Sequence, residues 1–170
     1  RPPRSTLFPY TTLFRSWLHF FEVNVLSGVR LSRHYLPRML DQNWGRIIFI
    51  SSESGIQIPA EMVHYGTTKT AQLGVSRELA QQTAGTNVTV NTVIPGSTRS
   101  EGSEKFISDL AQERGLSKED VEREFFEKIR PTSLLERFAT IDEVATFVTY
   151  LASPLRSEEH TSELQSRTNL

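Results

Sequence analysis

Tyr65 and Lys69, in the run Tyr65-Gly66-Thr67-Thr68-Lys69, stand four positions apart. On a helix that spacing puts a phenol and an ammonium one turn apart on the same face. A free phenol titrates near ~10 and is a poor acid–base group at neutral pH, but a cation beside it favours the phenolate. Tyr65 is therefore a candidate proton donor and acceptor, with Lys69 as the neighbouring cation. The pair alone fits an ordinary solvated helix face better, so the surrounding elements decide its meaning.

Upstream, Arg46-Ile47-Ile48-Phe49-Ile50 is an unbroken apolar, β-branched run, of the kind that forms a strand buried on both faces of a parallel sheet. It ends in Ser51-Ser52-Glu53-Ser54-Gly55. Carboxyl ends of parallel strands line the ligand crevice of open α/β sheets, which makes Ser52 a candidate to enter it. Glu53 beside it reads as a loop or solvent-facing carboxylate rather than a general base.

A helix is expected over residues 62–84, with Tyr65, Lys69 and Gln72 toward the crevice. Ala71, Gly74, Val75, Leu79 and Ala80 suit close packing, and Gly85-Thr86 supplies the left-handed stop. A second strand is expected over 87–94, followed at once by Pro95-Gly96.

Before the first strand, Leu18, Phe21, Val25, Val29, Leu36 and Leu40 recur at near-helical spacing, predicting a long helix over 17–40. Pro37 is expected to bend or close it, and Asn43-Trp44-Gly45 to turn the chain. Asn24 is out of place in a helix interior, because its amide competes with the backbone for hydrogen bonds. Residues 97–131 are polar, with helical patterns over 104–114 and 117–130, the latter capped at Ser117. Following a strand's carboxyl end, this is where a substrate lid would lie. A last helix, 141–151, begins at the cap Thr140. Strand and long helix alternate, so the expected fold class is α/β with a parallel sheet.

These motifs, in this order, resemble the short-chain dehydrogenase/reductase family, compact single-domain branch, over residues 17–155. The resemblance implies the second half of a Rossmann-like doubly wound sheet and NAD or NADP as cofactor. It also implies a small-molecule carbonyl or alcohol substrate and a homodimer or homotetramer. It assigns catalytic roles to Asn24, Ser52, Tyr65 and Lys69. In the family the asparagine sits in a helix kink and its backbone holds a water linking the lysine to solvent. Tyr65, Lys69, Pro95, Gly96, Thr98 and Ser100 fall at cofactor-binding positions: Pro95-Gly96 against the nicotinamide, the Thr98 backbone at its carboxamide, and Ser100 where a threonine often meets phosphate. An extended-branch epimerase or dehydratase shares Tyr-x-x-x-Lys, and a non-catalytic interaction protein on the same fold is the other alternative. Intact Asn24, Ser52, Tyr65 and Lys69 argue against the last.

A net charge of −1 gives no electrostatic preference for nucleic acid or membrane. No run approaches the ~20 apolar residues of a membrane span. Cysteine is absent, which excludes disulfides and thiolate metal sites and fits the expected cytoplasmic location. His19, His34 and His64 have no His or Cys at ligand spacing, so no metal is expected. Residues 6–16 and 156–166 are what common sequencing-library adapters would encode, so 1–16 and 156–170 are expected to be non-native. No glycine-rich turn follows a strand anywhere in the chain, and the pyrophosphate-binding fingerprint is missing. The expectation is an interior piece, with that turn before Trp17 and a closing strand after Leu155.

Overall fold

A computed structural model describes residues 14–154. The segments read as adapter-derived lie outside it, except Phe14–Ser16, which open the first helix. The chain divides into two compact units. One comprises the residues up to Ile94 together with those from Val148, the other Pro95–Phe147.

The long amino-terminal helix of the first unit is α1 (Phe14–Phe21), a π-helical segment (Glu22–Leu26) and α2 (Ser27–Asp41) in unbroken succession. Asn24 lies within the π-helical segment. Pro37 lies inside α2 without ending it. Asn43, at a positive φ of 48°, turns the chain into β1 (Gly45–Ile50).

β1 pairs in parallel with β2 (Val88–Val93), Gly45 opposite Val88 through Ile50 opposite Val93. The 20-residue helix α3 (Val63–Gln82) is the crossover between them, and Gly85 takes the left-handed conformation expected of it. Val88, Val90 and Val93 of β2 are buried. β1 is not buried on both faces as expected: Ile47 and Ile48 are half-buried and Ile50 is exposed. The reason is that, among the described residues, β1 has a paired neighbour on one side only. Gly74 likewise has open space where a Cβ would stand, so it serves no close packing here. Leu18, Phe21 and Val29 of the amino-terminal helix are exposed, whereas Val25 and Leu36 are buried.

The second unit has a small core of its own, Ile107, Ala111, Val121, Phe126 and Phe138. It is built by α4 (Glu101–Arg114), α5 (Lys118–Glu124) and a second π-helical segment, Phe125–Ile129. The α4 helix starts three residues before the expected 104, because Ser100 and Ser103 form a reciprocal capping box. The last helix, α6 (Ile141–Ala152), begins where Thr140 predicted. No described helix is long and apolar enough to cross a membrane.

Candidate functional site

Ser52 follows β1 in fully extended backbone, and its hydroxyl accepts the Ser54 N–H at 3.1 Å, opening a 3₁₀ turn over Glu53–Gly55. Its buried neighbour Ser51 donates from Oγ to the Lys69 carbonyl at 2.9 Å. The loop then descends onto α3 at two glycines. A Cβ on Gly55 would stand 2.9 Å from the Lys69 carbonyl carbon, and one on Gly66 only 2.7 Å from the Ser54 carbonyl oxygen and 2.6 Å from Ile58 Cγ2. Backbone can approach backbone this closely only where the side chain is missing. Thr70 Oγ1 donates to the Gly55 carbonyl at 2.6 Å and closes the contact. The serine loop is thus held against the turns of α3 that carry Tyr65 and Lys69.

Tyr65 is half-buried, its ring edge-on to Phe20 at 6.2 Å between centroids. Phe20 also meets the preceding residue, His64, at 4.4 Å. Lys69 Nζ lies 5.6 Å from the Tyr65 ring centroid and donates to the Ile50 carbonyl at 2.8 Å. Burial pushes the Lys69 ammonium below the usual lysine pKa, since desolvation disfavours the charged form. The same partial exclusion of water strengthens the field that the cation exerts on its neighbours.

Asn24 is gripped at both ends by α3. Its Nδ2 donates to Thr68 Oγ1 at 2.9 Å, and its backbone carbonyl accepts Gln72 Nε2 at 2.6 Å. Thr68, fully buried, donates its own hydroxyl hydrogen bond to the Tyr65 carbonyl at 2.7 Å. Asn24, Ser52, Tyr65 and Lys69 therefore all gather around the amino-terminal half of α3.

Pro95, Gly96, Thr98 and Ser100 belong to the second unit. There Thr98 forms a parallel bridge with Ala139 through the flanking groups: Arg99 N–H donates to the Ala139 carbonyl at 2.8 Å, and Ala139 N–H to the Ser97 carbonyl at 2.9 Å. The Thr98 N–H takes no part in that bridge, while its carbonyl accepts Ser103 Oγ at 3.0 Å. Ser100 Oγ accepts the Ser103 N–H at 3.3 Å as the cap of α4. Arg99 braces the segment, its guanidinium meeting both Glu122 oxygens at 2.7 Å, pairing with Glu104 and lying over Phe138 at 5.3 Å. The carboxylates, Glu122 first, raise the Arg99 pKa further above its usual value.

Sequence reasoning did not single out Ser51, Thr68 or the bond from Gln72 to Asn24. The Tyr-to-Thr spacing of three was visible, but its partner stands 44 residues away in the π segment.

Comparison with known proteins finds one family throughout. A family model described as short chain dehydrogenase matches residues 8–111. The oxidoreductase YvaG of Bacillus subtilis is 50% identical over 141 residues, which cover 83% of this chain and 53% of that protein. D-beta-hydroxybutyrate dehydrogenase of Rhizobium meliloti is 34% identical over 136 residues, 80% of this chain and 52% of the relative. Among solved structures, L-sorbose reductase from Gluconobacter frateurii, complexed with NADPH and L-sorbose, superposes with a TM-score of 0.75 at 26% identity. That match covers 82% of this chain and 52% of the reductase. The chain spans about half the length of the curated relatives it matches.

Proposed function

The chain belongs to the short-chain dehydrogenase family, and from that premise we propose that its parent protein is an NAD- or NADP-dependent oxidoreductase. It interconverts a small-molecule carbonyl and the corresponding alcohol at a site made by Asn24, Ser52, Tyr65 and Lys69. The observation that carries the reading is the Lys69 ammonium, desolvated and 5.6 Å from the Tyr65 ring.

In reduction Tyr65 donates its phenolic proton to the carbonyl oxygen, and the Ser52 hydroxyl hydrogen-bonds the same oxygen as negative charge develops there. The Lys69 ammonium stabilises the phenolate left behind. When Lys69 gives a proton back to that phenolate, water held at the Asn24 carbonyl reprotonates the resulting amine. A bound nicotinamide cofactor supplies the hydride for the carbonyl carbon.

The donor set suits the ribose end of such a cofactor. An ammonium has three donors, the Ile50 carbonyl takes one from Lys69, and others remain for sugar hydroxyls. By resemblance, Pro95, Gly96 and the Thr98 backbone are the residues of the second unit that would hold the nicotinamide end. Ser100 combines its assigned phosphate contact with a capping bond. The pyrophosphate has no counterpart in these 170 residues, since no glycine-rich turn is present. The chain by itself is therefore read as catalytically silent.

The test is Tyr65→Phe in the full-length enzyme, which removes only the transferable proton. Carbonyl reduction should fall by about 10²-fold or more, the upper range for one acid–base group, with cofactor affinity near that of the parent. A variant keeping the parent's kcat would sink the assignment of Tyr65 as proton donor.

We further propose that the full-length enzyme is a homodimer or homotetramer associating through α2 and α3. A groove of about 320 Å³ between them is lined by Val29, Leu36, Val75 and Leu79. Helix pairs from two subunits can close over such a face with two-fold symmetry. Light scattering at micromolar concentration should give at least a dimer mass, and a clean monomer would refute this.

A further inference from the structure

Gln72 is buried on α3, two helical turns beyond Tyr65, and its amide faces the Asn24 carbonyl at 2.6 Å. A carbonyl oxygen only accepts, so the atom meeting it is Nε2, and Oε1 is left as the other end of the amide. Oε1 is itself buried and has no hydrogen-bond partner among the described residues. An unsatisfied amide oxygen in a protein interior is costly, and packing alone would be served by leucine or methionine at no such cost. A polar side chain at this point therefore asks for a polar task. The carbonyl it holds lies within the π-helical segment Glu22–Leu26, a distortion that recurs at functional sites.

We propose that Gln72 is a positioning residue of the proton path. Its amide N–H fixes the aim of the Asn24 carbonyl, and its Oε1 accepts from the water that carries protons between Lys69 and solvent. Thr68 does the complementary job by holding the Asn24 side chain. The inference rests on the reading of Tyr65 as proton donor given above.

The experiment compares Gln72→Leu and Gln72→Glu with the full-length parent enzyme. Gln72→Leu keeps the volume and removes both polar atoms. It should lower kcat by about tenfold, a modest loss on the scale of misplaced catalytic groups. It should also shift the limb of the kcat–pH profile and raise the solvent deuterium isotope effect, with cofactor Kd unchanged. Gln72→Glu is nearly isosteric. Ionised, its carboxylate can only accept and would face the Asn24 carbonyl as one acceptor against another; protonated, it donates again. Its kcat should therefore fall as pH rises through the new carboxyl's titration, a dependence that a packing role does not produce. If Gln72→Leu loses cooperative unfolding, Gln72→Glu decides alone. Parent-like kcat and pH profile in the informative variants overturn the proposal, as does a kcat loss matched by equal loss of cofactor affinity and thermal midpoint. Tyr65→Phe run in parallel separates the two failures. If that variant is inactive while Gln72 variants behave like the parent, only the role of Gln72 falls.

Discussion

Replacing Lys69 by alanine should have a different signature from replacing Tyr65 by phenylalanine, because the lysine does two jobs. Its ammonium lies close to the Tyr65 ring and donates to the Ile50 carbonyl at the end of β1. Alanine removes the charge that stabilises phenolate and, on the proposed reading, the donors to the ribose. In the full-length enzyme Lys69→Ala should therefore depress kcat and weaken cofactor binding together, by about tenfold or more each for the loss of charge-assisted hydrogen bonds. Steady-state kinetics beside direct cofactor titration checks this, and a loss confined to kcat would remove the ribose role. Tyr65, Lys69 and Ser52 could be picked out from residue types and spacing. Gln72 could be put on the right helix face by the same count. Its bond to Asn24 could not, since that depends on a contact across 48 positions of chain.

Helix ends carry the most information at the scale of the elements. Thr140 opens α6 as its residue type suggests, accepting the Glu143 N–H at 3.1 Å, but the reciprocal bond from Thr140 N–H to Glu143 at 2.7 Å makes it a capping box. Arg137 pairs with the same carboxylate and, with that backbone bond, brings the Glu143 pKa from 4.5 to about 2. A depressed carboxyl pKa adds stability above its unfolded value and loses it as pH falls toward the folded one. Helix α6 should thus weaken as pH drops from 4.5 to about 2. Glu143→Gln should unfold at a lower temperature than the parent at neutral pH, with the gap closing at the acid end of that window; a constant gap would refute the linkage. The order and type of all long elements were legible because apolar period, caps and glycines agreed. The π segments were not, because an i to i+5 turn has no residue signature of its own. Nor was the early start of α4, since a Ser-x-x-Ser box is weaker than one closed by Glu.

For the molecule as a whole, the 170 residues hold four candidate active residues and no turn to seat pyrophosphate. A dinucleotide's main electrostatic anchor is the nest of backbone N–H groups and helix amino terminus that such a turn provides. Isothermal titration of the 170-residue chain with NAD and NADP should detect no micromolar binding, and thermal unfolding should be broad. Micromolar affinity with a cooperative transition would show that a glycine-rich turn is dispensable for cofactor binding. The parallel order of the sheet was readable from two apolar runs joined by a long helix, but the half-buried state of β1 was not, because burial depends on neighbours that the pattern takes for granted. Among the described residues β1 is paired with β2 and with nothing on its other side. That open margin is a seam with a direction and a register. A strand added there would pair with the unpaired backbone N–H and C=O groups of β1, so this edge is where a second polypeptide could dock by strand addition.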